Sequence, residues 1–323
     1  MIHPSFTQTS SVSMRILNHG QIEEIIGAAF EIVETVGCRM TDEKARALLQ
    51  QHGAVIGGDR VKIPRHLVQQ ALETAPRGFT IYNRLGERAM NLEGRKTYFG
   101  TSTGSPNTLD PLTGTIRPTT LQDIAHGALI ADALTNIDFV MPMGSAGDVL
   151  PPLAQEVHEF ETIVKNTVKP VVMLSYSRRA FRKVYEMAAA IAGGFEALRQ
   201  KPFLLAYPEP ITPLVFPKSG TERMMMMAEW GLPQRDLIAK VGPGGNYLQE
   251  NHTAAEFKKE IWMPGLMTRE AYTTWQDGGR KSSRDRIVDR IKTILQTHHP
   301  EPLKTSVLEK VEAFRRTADQ ELA

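Results

Sequence analysis

The chain has 323 residues, 41% of them hydrophobic and 23% charged, the composition of an ordinary globular protein with enough apolar material for a sizeable core. Thirty-eight basic residues against thirty-six acidic ones leave a formal charge of +2, too near balance to propose a nucleic-acid or membrane surface. No run approaches the ~18 apolar residues of a membrane span, and Met1 to Ser13 lack the basic start and apolar centre of a targeting segment, so the cytoplasm is the expected compartment.

From Ile22 to Val33, apolar residues recur at three- and four-residue steps, which predicts a helix with one buried face, ended by Gly37. Cys38, the only cysteine, has no internal disulfide partner and reads as a buried, inert thiol. A second helix is expected from Thr41 to Gly53. Strands follow at Arg60 to Ile63 and Phe79 to Tyr82, around a helix that Pro64 opens and Pro76 closes. Residues 1–118 therefore read as a small α+β N-terminal domain.

Thr120 with Asp123 forms a capping pair for a helix reaching Leu134. Three apolar strands then alternate with helices: Ile137 to Met143 before Pro152 to Asn166, Lys169 to Tyr176 before Arg178 to Ala192, and Phe203 to Tyr207 before Glu222 to Trp230. Continuous apolar strands separated by helices of ten to fifteen residues predict parallel strands buried on both faces. Three such units fall short of the about 250 residues of a closed eight-stranded barrel. The expected fold is α/β: an incomplete TIM-type (β/α) barrel over residues 119–234, then a helical C-terminal cap over 235–323. The cap helices are expected at Leu237 to Lys240, Thr253 to Ile261, Thr268 to Asp277, Arg284 to Gln296 and Lys304 to Glu321.

Ligands of α/β folds sit at the carboxyl ends of parallel strands, which singles out Gly144, Ser145, Tyr176, Tyr207 and Glu209. The tyrosine faces and the carboxylate suit an ammonium ion; tyrosines at strand ends also serve simply as packing residues. The turn containing Gly100, Thr101, Ser102 and Gly104 offers accessible backbone amides to an anion or cofactor, or is a tight surface loop. Gly244 and Gly245 sit in a second such turn, ahead of Thr253, with a ligand-binding and a linker reading side by side. His158 with Glu161 has the wrong spacing for a metalloprotease motif, and no metal site is expected. Met224 to Met227 read as core filling.

An ordered set of segments resembles the trimethylamine (MttB-type) methyltransferase family: Glu31 to Gly37, Gly58 to Pro64, Ala75 to Thr80, Tyr98 to Gly100, Asp110 to Gly114, Arg117 to Thr120, Asn136 to Phe139, Lys169 to Val171, Pro210 to Leu214, Val241 to Gly245, His252-Thr253 and Trp262 to Pro264. The resemblance implies a (β/α)8 barrel that presents a methylated or quaternary amine, such as trimethylamine or glycine betaine, to a corrinoid carried by a partner protein. It also implies an internally shortened member, in which the sequence passes from Pro233 directly to the closing segment near Arg235. Strands four to eight are then missing, and catalytic residues are not assigned. The rival expectation is a catalytically inactive homologue that acts as an interaction or assembly protein, with self-association through an open strand edge.

Overall fold

The computed structural model describes residues 16–94, 96–174, 177–231 and 272–323. The expected sites at Tyr176, Gly244 and Gly245, and the expected helices at Leu237 to Lys240 and Thr253 to Ile261, lie outside the described residues.

Helix α1 (His19–Glu31) starts with a capping box in which Asn18 and Gln21 exchange side-chain and backbone hydrogen bonds. It continues as a π-helical turn, Ile32–Val36, and ends at Gly37, whose φ of 76° suits glycine. A Cβ at Gly37 would lie 2.5 Å from the Val61 carbonyl. The expected buried face is corrected by the structure: no residue of α1 is buried, and Ile25, Ile26, Ile32 and Val36 remain exposed. Among the described residues, Arg65 lies 4.9 Å over the Phe30 ring on one flank of the helix.

The sheet behind it runs β10-β1-β3-β2, from β1 (Cys38–Met40), β2 (Val55–Gly57), β3 (Arg60–Lys62) and β10 (Val215–Phe216). Strand β10 pairs parallel to β1 although it follows β1 by more than 170 residues, so the N-terminal sheet captures a segment from the distal half. Cys38 is 3% exposed, donates to the Val61 carbonyl, and burial raises its thiol pKa, as the inert reading requires. Helices α2 (Glu43–Gln51) and α3 (Arg65–Thr74) complete this part.

Four segments lie side by side and parallel in the second part. Gly100 bridges Phe139, Val140 bridges Val171, and β8 (Val171–Met173) pairs with β9 (Leu204–Ala206). The structure thus adds a segment to the three read from the sequence, because the turn at Tyr98 to Ser105 runs alongside Phe139 to Gly144. No sheet among the described residues is closed. Helices α4 (Leu121–Ala133), α5 (Gln155–Asn166), α6 (Arg178–Ala192), α7 (Phe195–Gln200) and α8 (Lys218–Trp230) follow the four segments in turn.

Alternation along the strands assigns the two faces. Val140, Val171, Met173, Leu204 and Ala206 pack with Phe160 and Phe181 of the helices. Met141, Val172 and Leu205 pack instead against Ile81 and Met90 of an antiparallel hairpin, β4 (Gly78–Tyr82) and β5 (Arg88–Glu93). That hairpin is tied to the amino ends of the parallel strands, where Tyr82 N donates to the Pro202 carbonyl and Arg84 N to the Val168 carbonyl. Of the methionine run, Met226 and Met227 are buried in the core.

The C-terminal helices cover the outer helices. Helices α9 (Tyr272–Asp277) and α10 (Ser283–Thr297) precede α11 (Thr305–Glu321); α10 packs on α4, and α11 packs on α5 and α6. His158 and Glu161 find their role here. His158 Nε2 lies 2.6 Å from Asp319, and Glu161 joins Lys165 at 2.7 Å and Arg315 at 2.9 Å.

Candidate functional site

The amino ends of the parallel segments are tied by charged side chains. Lys169 Nζ donates to the carbonyls of Ala131, Leu134 and Ile137 at 2.6–2.7 Å, satisfying the end of α4. Asp138 accepts from Phe99 N at 2.8 Å, and burial pushes its carboxyl pKa up to about 6, opposed by that hydrogen bond and by Lys169. A folded-state pKa above the unfolded value near 3.9 means that the native protein binds the extra proton, so this contribution to stability is full below about pH 4 and is lost as pH rises through about 6. Asp138→Asn keeps the acceptor for Phe99 and removes the titration. The variant is expected to flatten the pH dependence of melting temperature between pH 4 and 7; an unchanged difference between those two pH values contradicts this assignment.

Of the expected site residues, Gly144, Ser145 and Tyr207 lie past the paired stretches at their carboxyl side, whereas Gly100 pairs with Phe139 near the amino ends and Thr101 bonds Met141 one step on. Thr101 takes the place of a ladder rung: its Oγ1 donates to the Met141 carbonyl at 2.8 Å and accepts from Met141 N at 2.7 Å. Gly100 lies under the Phe139 ring, with no room for a side chain. Ser102 is exposed, and Gly104 adopts a φ of 78° beside Leu174. On the next loop Ser145 N donates to the Ser105 carbonyl at 2.9 Å, and Ala146 N donates to the buried Glu159 carboxylate at 2.9 Å. Burial raises the pKa of Glu159, while Ala146 N and Gln155 act to lower it.

Gly144 is a steric requirement of this turn. A Cβ there would meet the Thr119 methyl at 2.6 Å and the Ser105 carbonyl at 2.8 Å. Gly144→Ala is expected to cost about 1–3 kcal/mol by overpacking and to move Ser145 and Ala146. Urea unfolding measures the first effect, and an unchanged midpoint would remove the steric role.

Tyr207 N donates to the Met173 carbonyl at 2.9 Å, and the ring is half-buried against the inner cluster with Phe139 and Tyr98. Glu209, two residues on, is exposed. The β6–β7 hairpin (Asn107–Leu109 and Ile116–Pro118) rises beside the first two loops. Its base is held by Arg117, which donates to Asp110 at 3.1 Å and to Asp123 at 2.7 Å; the Arg117 bond holds the Asp123 carboxyl below the usual range, and the Thr113 and Leu112 amides, with Arg117 after them, lower that of Asp110. The described strand ends therefore combine an inward tyrosine, an exposed carboxylate and rigid small-residue turns.

Glu159 and Asp138 were not among the residues singled out in the sequence. A Gln155/Glu159 pair at i,i+4 is ordinary on a helix surface, and only the packing of α5 under the 144–146 turn gives it a task.

A family model described as trimethylamine methyltransferase (MTTB) matches residues 4–235 and 233–322. Trimethylamine methyltransferase MttB of Desulfitobacterium hafniense (strain DSM 10664 / DCB-2) is 28% identical over 235 residues, covering 72% of this chain and 47% of that protein. Glycine betaine methyltransferase of D. hafniense (strain Y51) is 26% identical, covering 72% and 48% respectively. Trimethylamine methyltransferase MttB of Methanosarcina thermophila is 27% identical, covering 75% and 51%. The chain spans about half the length of these curated relatives.

Proposed function

Because the chain belongs to the trimethylamine methyltransferase family, we propose that it takes a methyl group from a methylated amine of the trimethylamine or glycine betaine type and passes it to a corrinoid held by a partner protein. The four parallel segments are then the first half of a (β/α)8 barrel, the fold that places its ligands at the carboxyl ends of the strands. The observation that carries the reading is the ordered family match on both sides of residue 234, joined to an aromatic and a carboxylate at the end of β9.

In this reading the Tyr207 face and the Glu209 carboxylate hold the ammonium, and the 101–105 and 144–146 turns orient its methyl group toward the open side. The N–CH3 bond breaks with its electron pair left on nitrogen, and the methyl group leaves to the acceptor, which supplies the nucleophile. Alignment and exclusion of water are the contributions the chain's own residues make.

Tyr207→Ala and Glu209→Gln are each expected to lower the rate of methyl transfer about tenfold, the scale of one lost cation–aromatic or ionic contact. Single-turnover rates with each amine measure it, and rates equal to the unaltered protein's would place the amine elsewhere. A second reading, a partner-binding protein without chemistry, is favoured by the exposed Leu109, Leu112 and Ile116 on the rigid hairpin, which are 65%, 60% and 76% accessible. It predicts complex formation with the corrinoid protein and no turnover of any amine.

A further inference from the structure

We propose that the outward side of α1 and of the π-helical turn that extends it is a two-fold interface with a second copy of this chain. The surface belongs to the N-terminal part and does not rest on the methyl-transfer reading.

Apolar residues recur along this segment at alternating steps of three and four: Ile22, Ile25, Ala29, Ile32 and Val36. That spacing is the seam of a helix that packs against another helix. Ile25, Ile32 and Val36 are 57%, 44% and 48% exposed, and Ile26 beside them is 47% exposed. Ala29 is exposed as well, and Ile22 is half-buried. Single apolar residues on a surface are ordinary, but a contiguous stripe along about four helical turns marks a contact.

The stripe is presented on a fixed support. The Asn18 and Gln21 capping box closes its start. Along its back the Glu34 carboxylate accepts from Arg65 N at 3.3 Å, Ile63 N donates to the Val33 carbonyl at 3.1 Å, and Arg60 Nη1 donates to the Val36 carbonyl at 3.0 Å. A partner therefore meets a surface that is already ordered, which lowers the cost of binding.

Charge and symmetry select the partner. The helix carries Glu23, Glu24 and Glu31 but neither lysine nor arginine. At 3.6 residues per turn all three acids lie about a third of a turn or more from the seam. Ile26, Ala28, Val33 and Thr35, the positions flanking the seam, are uncharged. A charged partner thus finds no counter-charge inside the contact, whereas an identical seam brings no like charges together there. The pattern is also nearly palindromic about Ala29, with Ile25 and Ile22 on one side and Ile32 and Val36 on the other. A two-fold axis through Ala29 reuses one patch on both copies. The small side chain at the axis lets the helices approach, and the larger ones on either side interlock whichever way the helices run.

Five side chains from each copy make a contact smaller than an obligate interface, so the dimer should dissociate on dilution. The acids beyond the seam repel across it, so added salt should strengthen the dimer.

Sedimentation of the full chain between about 1 and 100 μM, the range of weak association, is expected to show monomer passing into dimer. The dimer share should rise between about 0.05 M and 0.5 M salt. Ile25→Glu combined with Ile32→Glu, at exposed positions, is expected to keep the circular dichroism of the unaltered chain and stay monomeric throughout. Ala29→Cys is expected to give a disulfide-linked dimer on mild oxidation, because the axis brings residue 29 of both copies together while Cys38 is buried. Glu24→Cys, off the seam, is expected to stay unlinked. Monomer at every concentration, a dimer that salt disperses, an unchanged dimer in the double variant, or linkage through Glu24→Cys as fast as through Ala29→Cys would each overturn the interface.

Discussion

A chain ended at Leu303, without α11, is expected to lose the native fold. Val311 and Ala318 are fully buried and Leu322 is 2% exposed, with Val307 and Phe314 packed beside them on the cluster that holds α5 and α6. Burial of such side chains contributes about 1.5–3 kcal/mol each for the larger ones, so the loss approaches the whole stability of about 5–15 kcal/mol of a typical domain. Removing α11 also strands charge. Glu161 is buried and is shared between Lys165 and Arg315, and His158 would lose Asp319. Circular dichroism and urea unfolding of the shortened chain should show no cooperative transition at the position of the full chain's. A transition of equal midpoint and slope would mean that α11 is an appendage and not a wall of the core.

The second large effect is expected from Asp132→Ala. One carboxylate, nearly inaccessible, accepts from the Thr167 hydroxyl at 2.6 Å and Val168 N at 2.8 Å, and meets His298 Nε2 at 2.8 Å. It therefore joins the end of α4, the approach to β8 and the link between α10 and α11. Arg84 reaches the same junction, donating to the carbonyls of Thr167 and Glu301, and burial lowers its pKa. Alanine leaves the buried Thr167 hydroxyl and the part-buried Val168 N–H without their acceptor, a loss of about 3 kcal/mol. Urea midpoints measure it, and Asp132→Asn should recover part of the loss by keeping one acceptor oxygen. A midpoint within error of the unaltered chain's would show that water replaces the carboxylate.

Much of the architecture was legible because it follows local rules. The Thr120–Asp123 capping box appears as read, with Arg117 added to it. The apolar runs at 171–173 and 204–206 pair in parallel, and both faces of each are covered. The first parallel segment was hidden because Gly100, Thr101, Ser102 and Gly104 have the composition of a turn. Its place is set by long-range contacts, the Phe139 ring over Gly100 and the Thr101 hydroxyl between two Met141 backbone groups. The outward side of α1 was illegible for the opposite reason. Periodicity reports that Ile25, Ile32 and Val36 share a face, but not whether anything packs against it. At the strand ends, position alone pointed to Gly144, Ser145, Tyr207 and Glu209. The reason Gly144 must be glycine, its contact with Thr119 and Ser105, is absent from any local pattern.

Half of a barrel that still moves a methyl group is the central claim, and the visible spectrum of cobalamin reads it directly. Free cobalamin reduced to Co(I), mixed with the full chain and either trimethylamine or glycine betaine, should convert to the methylated form at a rate proportional to protein concentration. Tyr207→Ala and Glu209→Gln should slow that rate. A spectrum that stays at Co(I) with both amines, and with the corrinoid protein as acceptor, would contradict the account and leave a family member that binds its partner without chemistry.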